Sequence, residues 1–211
     1  MIALTDAGKR FNHDWIFRHL SYEFSAGQSY AIIGPNGSGK STLLQVLSGA
    51  MAVNEGNIQY SILSKRSPSD NDQRSIEEPF KHISICAPYL ELVEEMTLIE
   101  FLEFHQQFKP FLPSITPDKI VYILGLNDAV TKQIRNFSSG MKQRVKLAQA
   151  IFSDVPVVLL DEPCTNFDEA GIALYNQLIN DYCKKRMVIV SSNDHHEYEF
   201  CSNKINITDW K

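Results

Sequence analysis

Uninterrupted apolar runs predict two buried strands, one in each half of the chain. Residues 29–33 are short, apolar and rich in β-favouring side chains, and residues 157–160 are consecutive aliphatic residues followed by two acids. Such runs are typical of strands that are covered on both faces of a parallel sheet. After the first run, Leu43, Leu44 and Leu47 fall on one face of a predicted helix.

Weaker patterns predict the remaining elements. Residues 2–5 and residues 20–24, which alternate apolar and polar side chains, predict strands of an antiparallel sheet. Residues 61–78 are rich in Ser, Asp, Asn and Lys, which predicts an exposed hairpin or loop. Apolar positions at mostly helical spacing predict a helix over residues 97–108, and residues 117–124 predict a shorter helix that ends at a glycine.

Length and hydrophobic content fit one compact unit. A chain of 211 residues with 44% hydrophobic side chains can bury a full core as a single domain with a smaller lobe. No stretch approaches the ~20 consecutive apolar residues of a membrane helix, and charged residues interrupt the start where a signal peptide has its apolar segment. We therefore expect a cytoplasmic protein unless a partner recruits it to a membrane.

Net charge and cysteine usage indicate which partners and which cellular compartment to expect. The formal net charge of −5 argues against broad binding to phosphate backbones, so nucleic-acid partners are not expected. The four cysteines form no C-x-x-C pair, which suits a reducing compartment.

Residues 34–42 fit the phosphate-binding pattern G-x-x-x-x-G-K-[S/T] and lie between the predicted strand and the predicted helix. Glycines let backbone N–H groups curl around phosphate oxygens, and the helix that follows presents its positive N-terminus to the same anion. Lys40 can reach the β- and γ-phosphates, and the Ser41 hydroxyl can ligate Mg²⁺. A Gly-rich turn that binds nothing is disfavoured by this strand–loop–helix context. The predicted nucleotide-binding residues are Gly34, Pro35, Asn36, Gly37, Ser38, Gly39, Lys40, Ser41 and Thr42.

Two acids and a Ser-rich predicted helix start, all in the second half of the chain, are further candidate residues for the site of the phosphate-binding loop. Ligands of open α/β sheets lie beyond the carboxyl ends of the strands, which places Asp161 and Glu162 at the site. Asp161 is the candidate for the Mg²⁺ shell, and Glu162 could orient and deprotonate an attacking water. Residues 138–144 open another predicted helix, whose serines can cap free N–H groups or bind an anion.

In this order, the motifs resemble those of the ATP-binding-cassette (ABC) family of ATPases over essentially the whole chain. Residues 34–42 match the Walker A loop of that family, and residues 156–162 resemble its Walker B strand with the catalytic Glu. Residues 137–141 resemble a variant of the LSGGQ signature, which distinguishes this family from other phosphate-loop proteins.

The resemblance implies further binding residues. Ser138 and Gly140 of the signature would contact the nucleotide, and Asp168 would lie in the D-loop at the dimer seam. Phe11 matches the aromatic residue that stacks on adenine, with Trp15 as the weaker alternative; either could instead belong to the core.

The resemblance also implies an α/β fold and its partners. We expect a phosphate-loop NTPase core with a mixed sheet and flanking helices, an antiparallel β subdomain, and an α-helical subdomain over roughly residues 88–150 of a single domain spanning 1–211. ATP and Mg²⁺ are the implied cofactors. The implied partners are transmembrane permease subunits, which would hold the chain on the cytoplasmic face of the membrane, and a second ABC subunit. That subunit would be a second copy, with a heterodimer as the alternative.

Aromatic side chains of the implied helical subdomain could dock on the transmembrane partner or lie in the core, as a stripe at helical spacing usually does. They are Tyr89, Phe101, Phe104, Phe108 and Phe111.

Two positions depart from the family pattern. The family's Gln before an L-T-x-x-E run aligns with Pro88, which has no side-chain amide to ligate Mg²⁺ or hold a water. The family's switch His aligns with Asn193, which we assign a catalytic role because its amide can still donate a hydrogen bond to a γ-phosphate. His195 would take that role if the loop bulged.

Three functions remain open from the sequence. The first is the ATP-hydrolysing subunit of a transporter whose membrane part is a separate chain. The second is a soluble ABC ATPase outside transport, although such relatives usually carry long coiled coils or a second cassette. The third is a regulatory module that binds ATP and hydrolyses it weakly, as Pro88 and Asn193 suggest. Retention of Lys40, Glu162 and the signature favours the first.

Overall fold

The computed structural model describes residues 1–63, 73–75 and 77–211. Nine strands and six helices occur in these described ranges. The strands are β1 Ile2–Phe11, β2 Asp14–Phe24, β3 Ser29–Ile33, β4 Glu55–Leu63, β5 Gln73–Ser75, β6 Ile83–Cys86, β7 Val157–Asp161, β8 Met187–Ser191 and β9 Asn203–Asn206. The helices are α1 Lys40–Leu47, α2 Leu98–Phe108, α3 Pro117–Ile123, α4 Ser139–Phe152, α5 Glu169–Tyr182 and α6 His195–Tyr198.

The central sheet is parallel, with the strand order β6-β7-β8-β3-β9. Every residue of β7 and β8 is buried, as their uninterrupted aliphatic sequences require. The register pairs Asp161 with Ser191 and Ser191 with Ile32, so β7, β8 and β3 end at the same edge. The segments that follow these strands therefore meet above that edge, where α/β proteins bind ligands.

A second sheet, of antiparallel strands in the order β2-β1-β4-β5, lies beside the first. The predicted α/β class and the separate antiparallel sheet are confirmed, whereas the core sheet, which we expected to be mixed, is parallel throughout its described strands. The strands predicted over residues 2–5 and 20–24 are longer than expected, because register shifts after Leu4 interrupt the alternation on which the prediction rested. Of the hairpin or loop predicted over residues 61–78, residues 64–72 and 76 lie outside the described ranges.

Between β6 and β7 the chain forms α2, α3 and α4, where the helical subdomain is expected. The predicted helices over residues 97–108 and 117–124 are confirmed within a residue. Thr97 and Glu100 form a capping box at the start of α2. Thr116 caps α3, which ends before Gly125 at a φ of 65°.

Buried side chains form two clusters, one on each face of the parallel sheet. One cluster joins the sheet to α2, α3, α4 and α5, and the other joins it to α1 and the antiparallel sheet. Of the aromatic residues considered for docking, Phe101 is buried, whereas Phe104 and Phe108 are 43% and 72% exposed. Among the described helices, none is long and apolar enough to cross a membrane.

A partly buried histidine makes the helical part sensitive to acid. The His105 ring lies beside the rings of Phe101 and Phe111, and its Nε2 is 2.9 Å from the Ser153 hydroxyl. Burial, helped by the charge of Lys109, lowers the pKa of His105 from 6.5 to about 4. The folded state therefore binds a proton on His105 more weakly than the unfolded state does. The resulting contribution to the free energy of unfolding is fully present above pH 6.5 and is lost as the pH falls towards 4.

We expect the free energy of unfolding of the wild type to fall by about 2 kcal/mol more than that of His105→Gln between about pH 7 and about pH 5. Glutamine can keep a hydrogen bond to Ser153 but does not titrate, so urea denaturation of both proteins at the two pH values isolates this contribution. Equal losses for both proteins would contradict the assignment.

Candidate nucleotide-binding site

The candidate phosphate loop connects the end of β3 to α1. Gly39 occupies the N-cap position of α1 with a φ of 104°, and no side chain caps the first turn. A Cβ on Gly39 would lie 2.3 Å from Cγ2 of Ile16, so both the backbone conformation and the packing require glycine here. The uncapped N–H groups at the start of α1 are free to bind an anion, as predicted from the sequence.

Lys40 points back into the loop. Its side chain donates hydrogen bonds from Nζ to the carbonyl oxygens of Gly34 at 2.8 Å and Pro35 at 3.3 Å, and the residue is 5% exposed. The Ser38 hydroxyl is also buried, with no hydrogen-bond partner among the described residues. The loop thus holds an ammonium group and an unsatisfied hydroxyl beside open backbone donors, which is the chemistry that a phosphate group satisfies.

Asp161 ends β7 next to the start of α1 and fits the predicted metal role. The residue is 2% exposed, and its Oδ1 has no hydrogen-bond partner within the described chain. Burial raises the pKa of Asp161, opposed by a hydrogen bond from the Ser41 hydroxyl and by the charge of Lys40. A buried, incompletely satisfied carboxylate beside a serine hydroxyl is suited to Mg²⁺, which completes its shell with water and phosphate oxygens.

No cluster of three or more His, Cys, Asp or Glu side chains that could hold a metal ion occurs in residues 1–63, 73–75 and 77–211. Ser41 and Asp161 supply two protein ligands, so an Mg²⁺ ion held by them would take its remaining ligands from water and phosphate oxygens. Open sites of this kind are usual for Mg²⁺ bound with a nucleotide.

Glu162 follows Asp161 at the sheet edge with its side chain exposed. Its backbone has a φ of 45°, which is uncommon for a residue with a side chain. The Glu162 N–H donates to the Ser191 carbonyl at 2.9 Å, and the Glu162 carbonyl accepts a hydrogen bond from the Thr165 hydroxyl at 2.9 Å. These bonds hold the left-handed conformation, which directs the chain away from the sheet and the carboxylate towards an open cavity of about 340 Å³.

Asn193 reaches the phosphate loop from the end of β8. Its Nδ2 donates to Oδ1 of Asn36 at 2.7 Å, and both residues line the same cavity as Glu162. His195 instead begins α6, where it is exposed and its ring lies 5.3 Å from that of Tyr198. The geometry therefore favours Asn193 over His195 as the side chain that would meet a terminal phosphate.

We expect Asn193→His to raise ATP turnover several-fold, because imidazole can carry a charge that an amide cannot. Asn193→Ala should lower turnover, and His195→Ala should leave it within about twofold of the wild type. Steady-state ATPase assays of the four proteins check this. A loss of turnover with His195→Ala and none with Asn193→Ala would reverse the assignment.

The loop after β6 replaces the missing glutamine with different contacts. The carbonyl of Pro88 accepts a hydrogen bond from Lys146 at 3.0 Å, and the next residue, Tyr89, is 46% exposed. Burial raises the pKa of Tyr89, as does the neighbouring charge of Asp161, while a hydrogen bond with Gln45 lowers it. From the sequence Tyr89 was considered for docking or for the core, and the effect of the Asp161 charge on its hydroxyl was not predicted.

The signature residues lie together at a second cavity of about 490 Å³, whose lining includes Ser138, Gly140 and Asp168. The Ser138 hydroxyl caps α4 by accepting from the Met141 N–H at 3.3 Å. The Asp168 carboxylate caps α5 by accepting from the Gly171 N–H at 2.8 Å. None of residues 34–42 lines this cavity, so one chain does not bring its own signature onto its own phosphate loop.

Aromatic residues near the β1–β2 turn differ in their availability. Phe11 is 46% exposed, and the Nζ of Lys9 lies 5.5 Å from its ring centroid. The indole of Trp15 is engaged by the guanidinium groups of Arg18 at 4.5 Å and Arg10 at 5.4 Å. Phe11 is thus the freer of the two rings, and its stacking on adenine stays a prediction.

Cys164 is not suited to rapid oxidation. It follows Pro163 in the loop after β7, and burial raises the pKa of its thiol, with the Glu197 charge adding to the effect. The thiolate, which is the reactive form, is therefore disfavoured.

The sequence belongs to the ABC ATPase family: residues 17–165 match the family model described as ABC transporter. The cytochrome c biogenesis ATP-binding export protein CcmA of Xylella fastidiosa is 31% identical over 160 residues, which cover 76% of this chain and 68% of that protein. The lantibiotic transport ATP-binding protein SrtF of Streptococcus pyogenes is 27% identical, covering 91% of this chain and 79% of that protein.

Solved structures show the same fold. The dimeric post-hydrolysis state of the ATP-binding cassette MJ0796 bound to ADP and Pi superposes with a TM-score of 0.78 at 21% identity, covering 98% of this chain and 94% of that chain. The α/β phosphate-loop NTPase fold predicted from the motifs is therefore confirmed, and the chain is an ABC ATPase cassette.

Proposed function

We propose that this chain binds and hydrolyses ATP to drive a membrane transporter whose transmembrane part is a separate chain, and that it works as a dimer. The division of the candidate site between two cavities carries this proposal. Asn36, Glu162 and Asn193 line one cavity, whereas Ser138 and Gly140 line the other. Two cassettes arranged head to tail would complete two sites, each with the phosphate loop of one subunit and the signature of its partner.

Each residue near the phosphate loop has a role in this proposal. Lys40 and the N-terminal amides of α1 would bind the phosphates of ATP, and Ser41 and Asp161 would hold Mg²⁺, which when bound would supply positive charge to the phosphate oxygens. Glu162 orients the attacking water and accepts its proton, since its carboxylate is exposed in the cavity shared with Asn193. The signature Ser138 of the partner closes the site from the other side.

Coupling to transport rests on an exposed surface and on the relatives. Phe104 and Phe108 pack edge to face with ring centroids 5.0 Å apart, and both rings remain exposed on α2. An exposed aromatic pair on an otherwise polar helix face is typical of a contact with another protein. The names of CcmA and SrtF describe export and transport ATP-binding proteins, which supports a membrane chain as that partner.

Reconstitution in proteoliposomes tests the proposal. The first step is to find whether a neighbouring reading frame encodes a multi-span membrane protein, which the proposal requires; the chain would then be combined with that protein, and ATP turnover would be measured with and without it. We expect stimulation by the membrane protein, and a smaller stimulation of Phe108→Ser at unchanged basal turnover. Equal turnover with and without the membrane protein, together with no association in detergent, would contradict the role in transport.

A regulatory module that binds ATP but barely hydrolyses it is the second candidate. Pro88 provides only a backbone carbonyl, which Lys146 already engages, and the Asn193 amide donates to Asn36. Tight ATP binding with no turnover at any protein concentration, alone or with the membrane protein, would favour this candidate over the first.

A further inference from the structure

The segment that carries Glu162 is held from three directions. We call residues 162–168 the catalytic loop; it leaves β7 in the left-handed conformation of Glu162 and ends at Asp168. The Glu162 N–H binds the Ser191 carbonyl on β8, and Gln143 on α4 donates from Nε2 to the Pro163 carbonyl at 2.8 Å. A strained residue keeps its conformation only where surrounding contacts of this kind determine it.

The third contact comes from Glu197. Its Oε1 accepts a hydrogen bond from the Cys164 N–H at 2.6 Å, and its own carbonyl accepts from the Tyr175 hydroxyl on α5 at 2.6 Å. Glu197 is 4% exposed, which is unusual for a glutamate without a lysine or arginine partner. No ion pair to it occurs among the residues that the structure describes.

Glu197 also belongs to the segment that carries Asn193. Asp194 caps α6, and the Glu197 N–H donates to the Asp194 carbonyl at 3.1 Å. Burial raises the pKa of Glu197, partly offset by the Ser192 side chain and by the Cys164 amide. The second carboxylate oxygen, Oε2, is buried with no hydrogen-bond partner among the described residues. Because Glu197 itself lies in the segment after β8, its hydrogen bond from the Cys164 N–H joins that segment to the loop after β7.

We propose that Glu197 is a positioning residue that couples the Asn193 segment to the catalytic loop. Through the Cys164 amide it fixes the direction of the Glu162 carboxylate and the placement of Asp168, which begins α5 at the signature cavity. A shift of Asn193 from Asn36 to a bound phosphate would thereby be transmitted to both. The geometry of this link stands without ATP hydrolysis, but its effect on turnover rests on the proposed function.

The test compares three variants of the full chain. Glu197→Ala removes the acceptor for the Cys164 N–H, Glu197→Gln retains an acceptor oxygen of the same reach, and Glu199→Ala removes an exposed carboxylate nearby as the control. Steady-state kinetics give kcat and KM for ATP, amide hydrogen exchange reports on residues 162–168, and thermal unfolding reports on the whole fold.

We expect Glu197→Ala to lower kcat by about tenfold or more with KM within about twofold, because misplacing a catalytic group costs rate rather than ground-state binding. Amide hydrogen exchange of residues 162–168 should accelerate by about tenfold in the same variant. Glu197→Gln should restore most of kcat and most of the protection from exchange, and Glu199→Ala should match the wild type in both measurements. If Glu197→Ala does not fold, Glu197→Asp, whose carboxylate is one methylene short, takes its place with the same expectations.

Exchange of residues 162–168 at the wild-type rate in folded Glu197→Ala, or in Glu197→Asp where it takes its place, would overturn the inference, as would a rise in KM at unchanged kcat in that variant. Because exchange is measured without ATP, this failure is distinguishable from failure of the proposed function. The latter would appear as a wild-type chain that hydrolyses no ATP while the exchange difference persists.

Discussion

Glu162→Gln is expected to lower ATP turnover by about 100-fold or more while leaving ATP affinity within about twofold of the wild type. The amide has the shape of the carboxylate but cannot accept the proton of the attacking water. Glu162 is exposed at the cavity that Asn36 and Asn193 also line, so the substitution leaves no buried group unsatisfied. The left-handed backbone of Glu162 is unchanged by the substitution.

The same variant should accumulate as an ATP-bound dimer, because ATP would join the two half-sites and hydrolysis would release them. Steady-state turnover, equilibrium binding of a fluorescent ATP analogue and light scattering with and without ATP check the three expectations. Glu103→Gln, which alters an exposed carboxylate on α2, is the matched control and should behave as the wild type. Hydrolysis by Glu162→Gln at the wild-type rate would show that another group activates the water.

Lys40→Ala has the second largest expected effect, a loss of ATP affinity of about 100-fold or more together with loss of turnover. The buried ammonium of Lys40 is positioned by the Gly34 and Pro35 carbonyls, so its charge is available to the phosphates without reorganisation. Alanine removes the charge and leaves the N-terminal amides of α1 as the main phosphate donors.

The lost hydrogen bonds could also lower stability, so thermal unfolding of Lys40→Ala is measured beside binding. Lys119→Ala, at an exposed position of α3, is the control for removing one positive charge. Retention of wild-type ATP affinity by a folded Lys40→Ala would contradict the role assigned to the phosphate loop.

Much of the site could be predicted because its chemistry lies in short contiguous segments. The strand before the phosphate loop and the helix after it were predicted from apolar patterning alone, and β3 and α1 confirm them. The start of α2 was predicted within a residue from the spacing of apolar side chains over residues 97–108, and the capping box of Thr97 and Glu100 fixes that start by local interactions. Such predictions succeed where neighbours in sequence determine the structure.

Contacts between distant segments were not predictable from the sequence. Cys164 and Glu197 are 33 residues apart and meet only because β7 and β8 are neighbours in the parallel sheet. In the sequence, Glu197 is one acid in a polar stretch, and no periodicity indicates that it is buried. Tyr89 was likewise considered for docking or for the core, because nothing local shows that the charge of Asp161 acts on its hydroxyl.

The measurement that tests the account most directly is ATP turnover of an equimolar mixture of two inactive variants, Lys40→Ala and Ser138→Arg. In a head-to-tail mixed dimer, one of the two sites pairs an intact phosphate loop with an intact signature, whereas the dimer of either variant alone has none. If each ATP site is shared between two subunits, we expect negligible turnover of each variant and recovery of a substantial fraction of wild-type turnover in the mixture. A mixture no more active than its separate components, while the wild type hydrolyses ATP, would contradict a site shared between two subunits.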